Sequence, residues 1–229
     1  MEMKAIFQFL SELQQHNERP WFMAHKEEFQ QCQQKFFQEI DRLIELIARF
    51  DPSVRNLQAK DCVYRIYRDV RFSADKSPYK THFSAYINPG GKKSGYSGYY
   101  LHLSTSAPDK DYPHTCFLAA GDYMCLPEVL KILREDIVAG QGDFEAIVKA
   151  APSFYLETSN SLKRLPKGFS EDDPYGEYLK LKNFCLIHPF TIEEALQEDF
   201  IPKMADLCQE ALPFLQYINR AIAYSKETR

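Results

Sequence analysis

A chain of 229 residues with 45% hydrophobic and 26% charged side chains has ordinary globular proportions and can bury a core without disulfides or metals. Nine glycines and thirteen prolines exclude collagen-like, linker-dominated and disordered readings. A net charge of −4 argues against a surface coated in basic groups for bulk nucleic-acid binding.

The opening Met1-Glu2-Met3-Lys4-Ala5-Ile6-Phe7 places an acid where a signal peptide needs net positive charge, and the apolar residues that follow are spaced rather than continuous. No apolar run approaches the roughly 18 residues of a membrane helix. Six scattered cysteines without a C-x-x-C pair fit neither a zinc ribbon nor a secreted disulfide framework. The expectation is a cytoplasmic protein with reduced, mostly buried thiols and no membrane association.

In residues 3–15, Ile6, Phe7, Leu10 and Leu13 share one helical face. From Trp21 to Phe50 the apolar positions Phe22, Phe29, Phe36, Ile40, Leu43, Ile44 and Ile47 predict one long amphipathic helix, capped by Asn17 and stopped by Asp51-Pro52. The period then changes. Residues 62–72 are rich in β-formers, 79–88 and 98–105 alternate, and the turn-rich 88–95 between the last two reads as a hairpin loop. A fourth strand is expected at Thr115–Ala120. Helices return at 127–139 and 143–150, an irregular segment covers 162–169, and a strand covers 184–188. Thr191-Ile192-Glu193-Glu194 is a capping box, and Pro202 and Pro213 punctuate the helical C-terminus. Helical 3–50, strand-rich 60–121 and a largely helical 127–225 with one or two further strands make one α+β domain spanning 1–229. Its central sheet is mostly antiparallel, and N- and C-terminal helices pack on it.

The chemistry concentrates in 60–82. This stretch holds six fixed cations, Lys60, Arg65, Arg68, Arg71, Lys76 and Lys80, against Asp61, Asp69 and Asp75, a net +3. Since the whole chain is −4, everything outside the segment sums to −7. If 62–72 is extended, Arg68 falls on its more apolar face, where a guanidinium needs a carboxylate or a bound anion. On the hairpin, Lys80, His82, Tyr100 and His102 share the polar face, and a register pairing residue 82 near 103 sets the two histidines diagonally. Arginine suits carboxylate or phosphate, lysine adds a point charge, and histidine moves protons near neutrality. Equally, the interleaved aspartates would neutralise the cations in an internal salt-bridge lattice. A second basic knot, Lys163, Arg164 and Lys167, reads as a solvated loop or as a cover over the first.

Other patterns fail. Gly90–Gly95 lacks phosphate-loop spacing, Gly95-Tyr96-Ser97-Gly98 lacks that of a nucleophile elbow, and no metal or cofactor motif appears. His25 reads as a packed, hydrogen-bonded histidine on an apolar face, and Cys116 and Cys125 as core thiols.

Tyr64-Arg65-Ile66-Tyr67-Arg68-Asp69-Val70-Arg71-Phe72-Ser73, followed by Asp75-Lys76-Ser77-Pro78-Tyr79-Lys80-Thr81-His82, closely resembles the signature of the family named domain of unknown function 2461. Asn17-Glu18-Arg19-Pro20-Trp21-Phe22 with His25-Lys26, Gly98-Tyr99-Tyr100-Leu101-His102, and Leu162-Lys163-Arg164 with Pro166-Lys167-Gly168-Phe169 match the same family in order. The resemblance implies a single-domain cytosolic protein, mainly bacterial in distribution. It brings no activity or catalytic residues.

Three functional readings follow. The first is a binding module or enzyme for a small phosphate- or carboxylate-bearing ligand, held by Arg65, Arg68, Arg71, Lys76, Lys80 and Tyr100, with His82 and His102 for proton transfer. The second is a structural or protein-interaction module whose basic strip pairs internally. The third, disfavoured by the overall acidity, is a single-stranded nucleic-acid binder on a Tyr-studded sheet.

Overall fold

The computed structural model describes residues 2–109, 112–170 and 172–228. It begins with α1 (Glu2–Gln15), α2 (Arg19–Ala24) and α3 (Lys26–Ile47), followed by a 3-10 turn at Pro52–Val54 and the short α4 (Ala59–Cys62). The single helix expected from Trp21 to Phe50 is divided at His25, whose backbone leaves helical geometry (φ −106°, ψ 22°). The His25 amide and ring Nδ1 both reach the Trp21 carbonyl, at 3.1 and 2.8 Å, and end α2 there. Apolar periodicity runs through the break, so it left no mark in the pattern. Asn17 caps no helix. It bonds the backbone of Tyr79 instead.

Strands β1 (His82–Ile87), β2 (Gly98–Ser104) and β3 (Cys116–Asp122) form an antiparallel meander. After α5 (Pro127–Ala139) and α6 (Asp143–Lys149) come β4 (Tyr155–Leu156), α7 (Gly176–Leu179) and β5 (Phe184–Phe190). The sheet order is β1-β2-β3-β5-β4, antiparallel throughout. The chain closes with α8 (Ile192–Ala195), opened by the reciprocal Thr191–Glu194 capping box, and α9 (Phe200–Glu227). Pro202 lies in the first turn of α9 and Pro213 inside it, without ending the helix. Pro213 is exposed, so the carbonyl freed one turn earlier at exposed Gln209 meets water rather than the core.

The expected strand over 62–72 is absent. Residues 63–67 run antiparallel to 79–85, along β1 and the residues just before it, with two isolated bridges, Val63 to Ala85 in β1 and Tyr67 to Tyr79. Beyond them the backbone turns away, because the carboxylates of Asp69 and Asp75 accept local amide bonds from Arg71 and Ser77 and set tight turns.

Side-chain alternation divides the sheet into two unlike faces. Phe83, Ala85, Tyr99, Leu101, Leu103, Leu118 and Leu186 belong to one apolar core with the buried stripes of α3 and α9. Each large side chain removed from water there contributes about 1.5–3 kcal/mol. That core runs continuously from α1 to α9. The opposite face carries His82, Ser84, Tyr100, His102 and Ser104, beside a small cluster of Phe117, Ala119 and Ile187. No helix among the described residues is long and apolar enough to cross a membrane.

Candidate functional site

The polar face of β1 and β2 floors a cleft of about 520 Å³. Its lining includes Arg68, Lys80, His82 and His102, which the sequence brought together, and also Asp109, Tyr112 and His114 from the connection after β2. His82 is paired with Ser104 and Ser84 with His102, so the two histidines are diagonal neighbours with ring centroids 4.5 Å apart. The register differs by one residue from the expected pairing, but the two rings share the expected face.

His102 is only 1% exposed. It lies between Tyr112 (centroids 4.4 Å apart) and Phe117 (4.9 Å), and its Nδ1 is 3.1 Å from the Tyr100 hydroxyl. Tyr100 also shares side-chain hydrogen bonds with Ser84 and Tyr112, and burial pushes its phenol well above the usual range. Burial, followed by the neighbouring His82 and Lys80, drives the His102 imidazole far below its ordinary value. For His82, burial and then the Lys80 charge bring the pKa down to about 4. Both rings are therefore neutral near pH 7.

Lys80 lies two residues before the start of β1 and lines the cleft together with His82. Its Nζ lies 5.2 Å from the centre of the Tyr64 ring. Neither Lys80 nor His82 has an ion-pair or hydrogen-bond partner through its side chain among the described residues. Burial lowers the Lys80 pKa, and the Arg65 charge acts in the same direction.

The remaining cations are disposed differently. Arg68 borders the cleft but pairs with Asp75, and it also donates to the Ser77 carbonyl (3.0 Å) and the Ser73 hydroxyl (3.3 Å). Hydrogen bonds from Ser77, then Arg68, hold the Asp75 carboxyl down to about 2. Arg71 is bidentate on Asp69, at 2.9 and 2.6 Å, and Lys76 donates to the Val70 carbonyl at 3.0 Å. Arg71, Lys76 and exposed Arg65 do not line the cleft. Tyr100 stands on the same polar face but does not line the cleft; its hydroxyl meets the Nδ1 of His102, which does. Lys163, Arg164 and Lys167 are exposed on a separate loop, which is tied back by the Leu162 amide to the Lys180 carbonyl (2.8 Å), and they do not border the cleft.

Tyr112 and Asp109 were not singled out from the sequence. They fall in an irregular connection without periodicity, and only the fold lays Tyr112 over His102. Elsewhere, Glu12, His25 and Glu28 bring potential metal-ligand atoms within 4.8 Å of one another on the α1–α3 side, all three partly exposed. A larger groove of about 720 Å³ follows α9 past Leu212, Pro213 and Tyr217, and none of the sequence-predicted residues borders it.

Searches of curated proteins and of solved structures return no match. The family model described as "Conserved hypothetical protein (DUF2461)" matches residues 5–217, which include both histidines and every cation of 60–82 and 163–167. The chain belongs to that family.

Proposed function

We propose that the cleft binds a small ligand through an oxyanion, phosphate or carboxylate, with Lys80 as its principal charge and His82, His102 and Arg68 around it. The observation that carries this reading is Lys80 itself. It is a partly buried ammonium in a concave polar site, with no carboxylate partner among the described residues, set beside an imidazole that has no hydrogen-bond partner among them either. Arg68 contributes a guanidinium already oriented by Asp75 and Ser77. Where the bound anion is a substrate, His82 and His102 are the groups placed to pass a proton. A reducing cytoplasmic setting fits the six free cysteines, five of them buried.

The internal-pairing reading accounts for Arg71 with Asp69 and partly for Arg68 with Asp75, but it leaves Lys80 unexplained. The test is a thermal-shift screen of phosphorylated and carboxylated compounds on the wild type, Lys80→Gln and Arg68→Ala. A ligand that raises the melting temperature of the wild type and not of Lys80→Gln supports the reading, because only binding to the native state stabilises it. A panel that leaves the wild type unmoved at millimolar concentration overturns it.

A further inference from the structure

We infer that a divalent transition ion of the zinc class binds outside the cleft, on Glu12, His25 and Glu28, as a bridge across the first three helices. Glu12 comes from the last turn of α1, His25 is the break between α2 and α3, and Glu28 lies in the first turn of α3. One ligand atom from each lies within 4.8 Å of the other two. Around a tetrahedral ion with bonds of about 2.0–2.1 Å the donor atoms stand roughly 3.4 Å apart, so small side-chain rotations complete the set. The imidazole is the fixed member. The two carboxylates, each on three torsions, are the ones that close onto it.

The state of His25 separates this group from a chance meeting of surface acids. Its Nδ1 is 2.8 Å from the Trp21 carbonyl, which only accepts, so Nδ1 carries the proton and donates. In the neutral ring Nε2 is therefore the atom left with a lone pair, and it has no hydrogen-bond partner among the described residues. A backbone carbonyl holding the far nitrogen is the device that fixes tautomer and ring direction in metal-bound histidines. The Trp21 ring, stacked on the imidazole with centroids 4.0 Å apart, keeps it from swinging away. Glu12 is steadied in a similar way by Gln8, whose side-chain amide donates to one carboxylate oxygen at 3.2 Å. Neither Glu12 nor Glu28 forms an ion pair among the described residues, although both are half-buried. Cys32, one turn beyond Glu28, turns its buried thiol to the Ala5 carbonyl at 3.5 Å and is not one of the set. One imidazole nitrogen with two carboxylates suits zinc and its first-row neighbours, whereas magnesium and calcium bind through oxygen alone. Three protein groups leave the fourth position of a tetrahedral shell to water, the open form of a zinc site. Joining Glu12 to Glu28 also ties α1 to α3 around the junction from which Asn17 holds Tyr79.

The test uses the full chain, free of any purification tag, with Co²⁺ and Zn²⁺ as probes. Trp21 is the sole tryptophan, so its fluorescence reports this corner of the molecule alone. Micromolar Co²⁺ is expected to quench it to saturation at one ion per chain, with Zn²⁺ reversing the quenching and millimolar Mg²⁺ leaving it unchanged. The Co²⁺ complex should show weak visible bands and no near-ultraviolet charge-transfer band of a thiolate ligand. In Glu12→Gln and Glu28→Gln, both near-isosteric, the Co²⁺ affinity should fall at least about tenfold. On the wild type alone, Co²⁺ should shift and broaden the ring resonances of His25 before those of His114 and His188, a measurement that needs no variant to fold. Absence of saturable quenching, a thiolate band, or His25 resonances left in place overturns the assignment. Quenching of full strength in both variants, or competition by Mg²⁺ equal to that by Zn²⁺, overturns it as well. The anion reading of the cleft stands or falls separately.

Discussion

Asn17 and Tyr79 are joined backbone to side chain at two points: the Asn17 amide nitrogen donates to the Tyr79 carbonyl at 2.9 Å, and its oxygen accepts from the Tyr79 amide at 3.1 Å. This clamp ties the α1–α2 junction to the residue before Lys80, across 62 positions of sequence. It is reinforced by the Tyr79 ring stacked on Phe22, with centroids 3.9 Å apart. Replacing Asn17 with Ala removes both bonds and leaves the Tyr79 amide and carbonyl unsatisfied in a largely buried place. The expected loss is about 1–3 kcal/mol in chemical denaturation, with faster amide exchange at Tyr79. An unchanged denaturation midpoint would show that the clamp carries no weight.

Asp75 decides how much of Arg68 is available to the cleft. In Asp75→Ala the guanidinium loses its only carboxylate among the described residues, and the affinity for sulfate is expected to rise about fivefold. The gain should shrink as salt is added, because an unpaired surface-facing cation is screened. Sulfate titrations at low and high ionic strength measure it, and a fall in affinity would mean that Asp75 acts chiefly by holding the loop in place.

Acid stability follows from the two imidazoles. Each has a folded-state pKa below its unfolded value, so between about pH 6.5 and about pH 4 the unfolded chain binds more protons than the native one. Stability is therefore fully present above about pH 6.5 and declines as the pH falls toward 4. The lowered carboxyl of Asp75 acts in the same direction at more acid pH, its share being present above the ordinary carboxylate range and lost toward about pH 2. Melting temperatures from about pH 8 to about pH 4 test this. His102→Phe, which cannot take a proton, should flatten the upper part of that curve.

Gly121 of β3 has φ +144°, and a Cβ there would stand 1.9 Å from the Phe184 carbonyl oxygen of β5. Its own carbonyl accepts a hydrogen bond from Tyr86 at 3.0 Å. Gly121→Ala should cost at least about 2 kcal/mol, read as a lower urea midpoint, since the clash is with backbone and no side chain can yield. Wild-type stability in this variant would contradict the backbone path described here.

What the sequence made legible was whatever is written in periodicity. The strand alternation put His82, Tyr100 and His102 on one face, and the capping box placed the start of α8. The charge pattern drew attention to 60–82 but could not say which cations keep their own carboxylates. Arg68–Asp75 and Arg71–Asp69 depend on tight turns within 68–77, where β-rich composition had suggested a strand. Proline also misled: Pro213 lies inside α9 because its exposed side lets water satisfy the freed carbonyl. Tyr112, the residue that covers His102, carries no periodic signal at all.

Both margins of the sheet are blunt. On one side the run 63–67 lies along the edge of β1 and of the residues before it, with one isolated bridge to each, and on the other β4 is two residues long. Neither offers the long, flat row of free amides and carbonyls that a strand from another molecule needs as a template. The arrangement thus guards an all-antiparallel sheet against adding strands from its neighbours. On the β1 side the guard is also the segment that brings Arg68 to the cleft, so a change that frees this strap would expose a sticky edge and remove one wall of the cleft together.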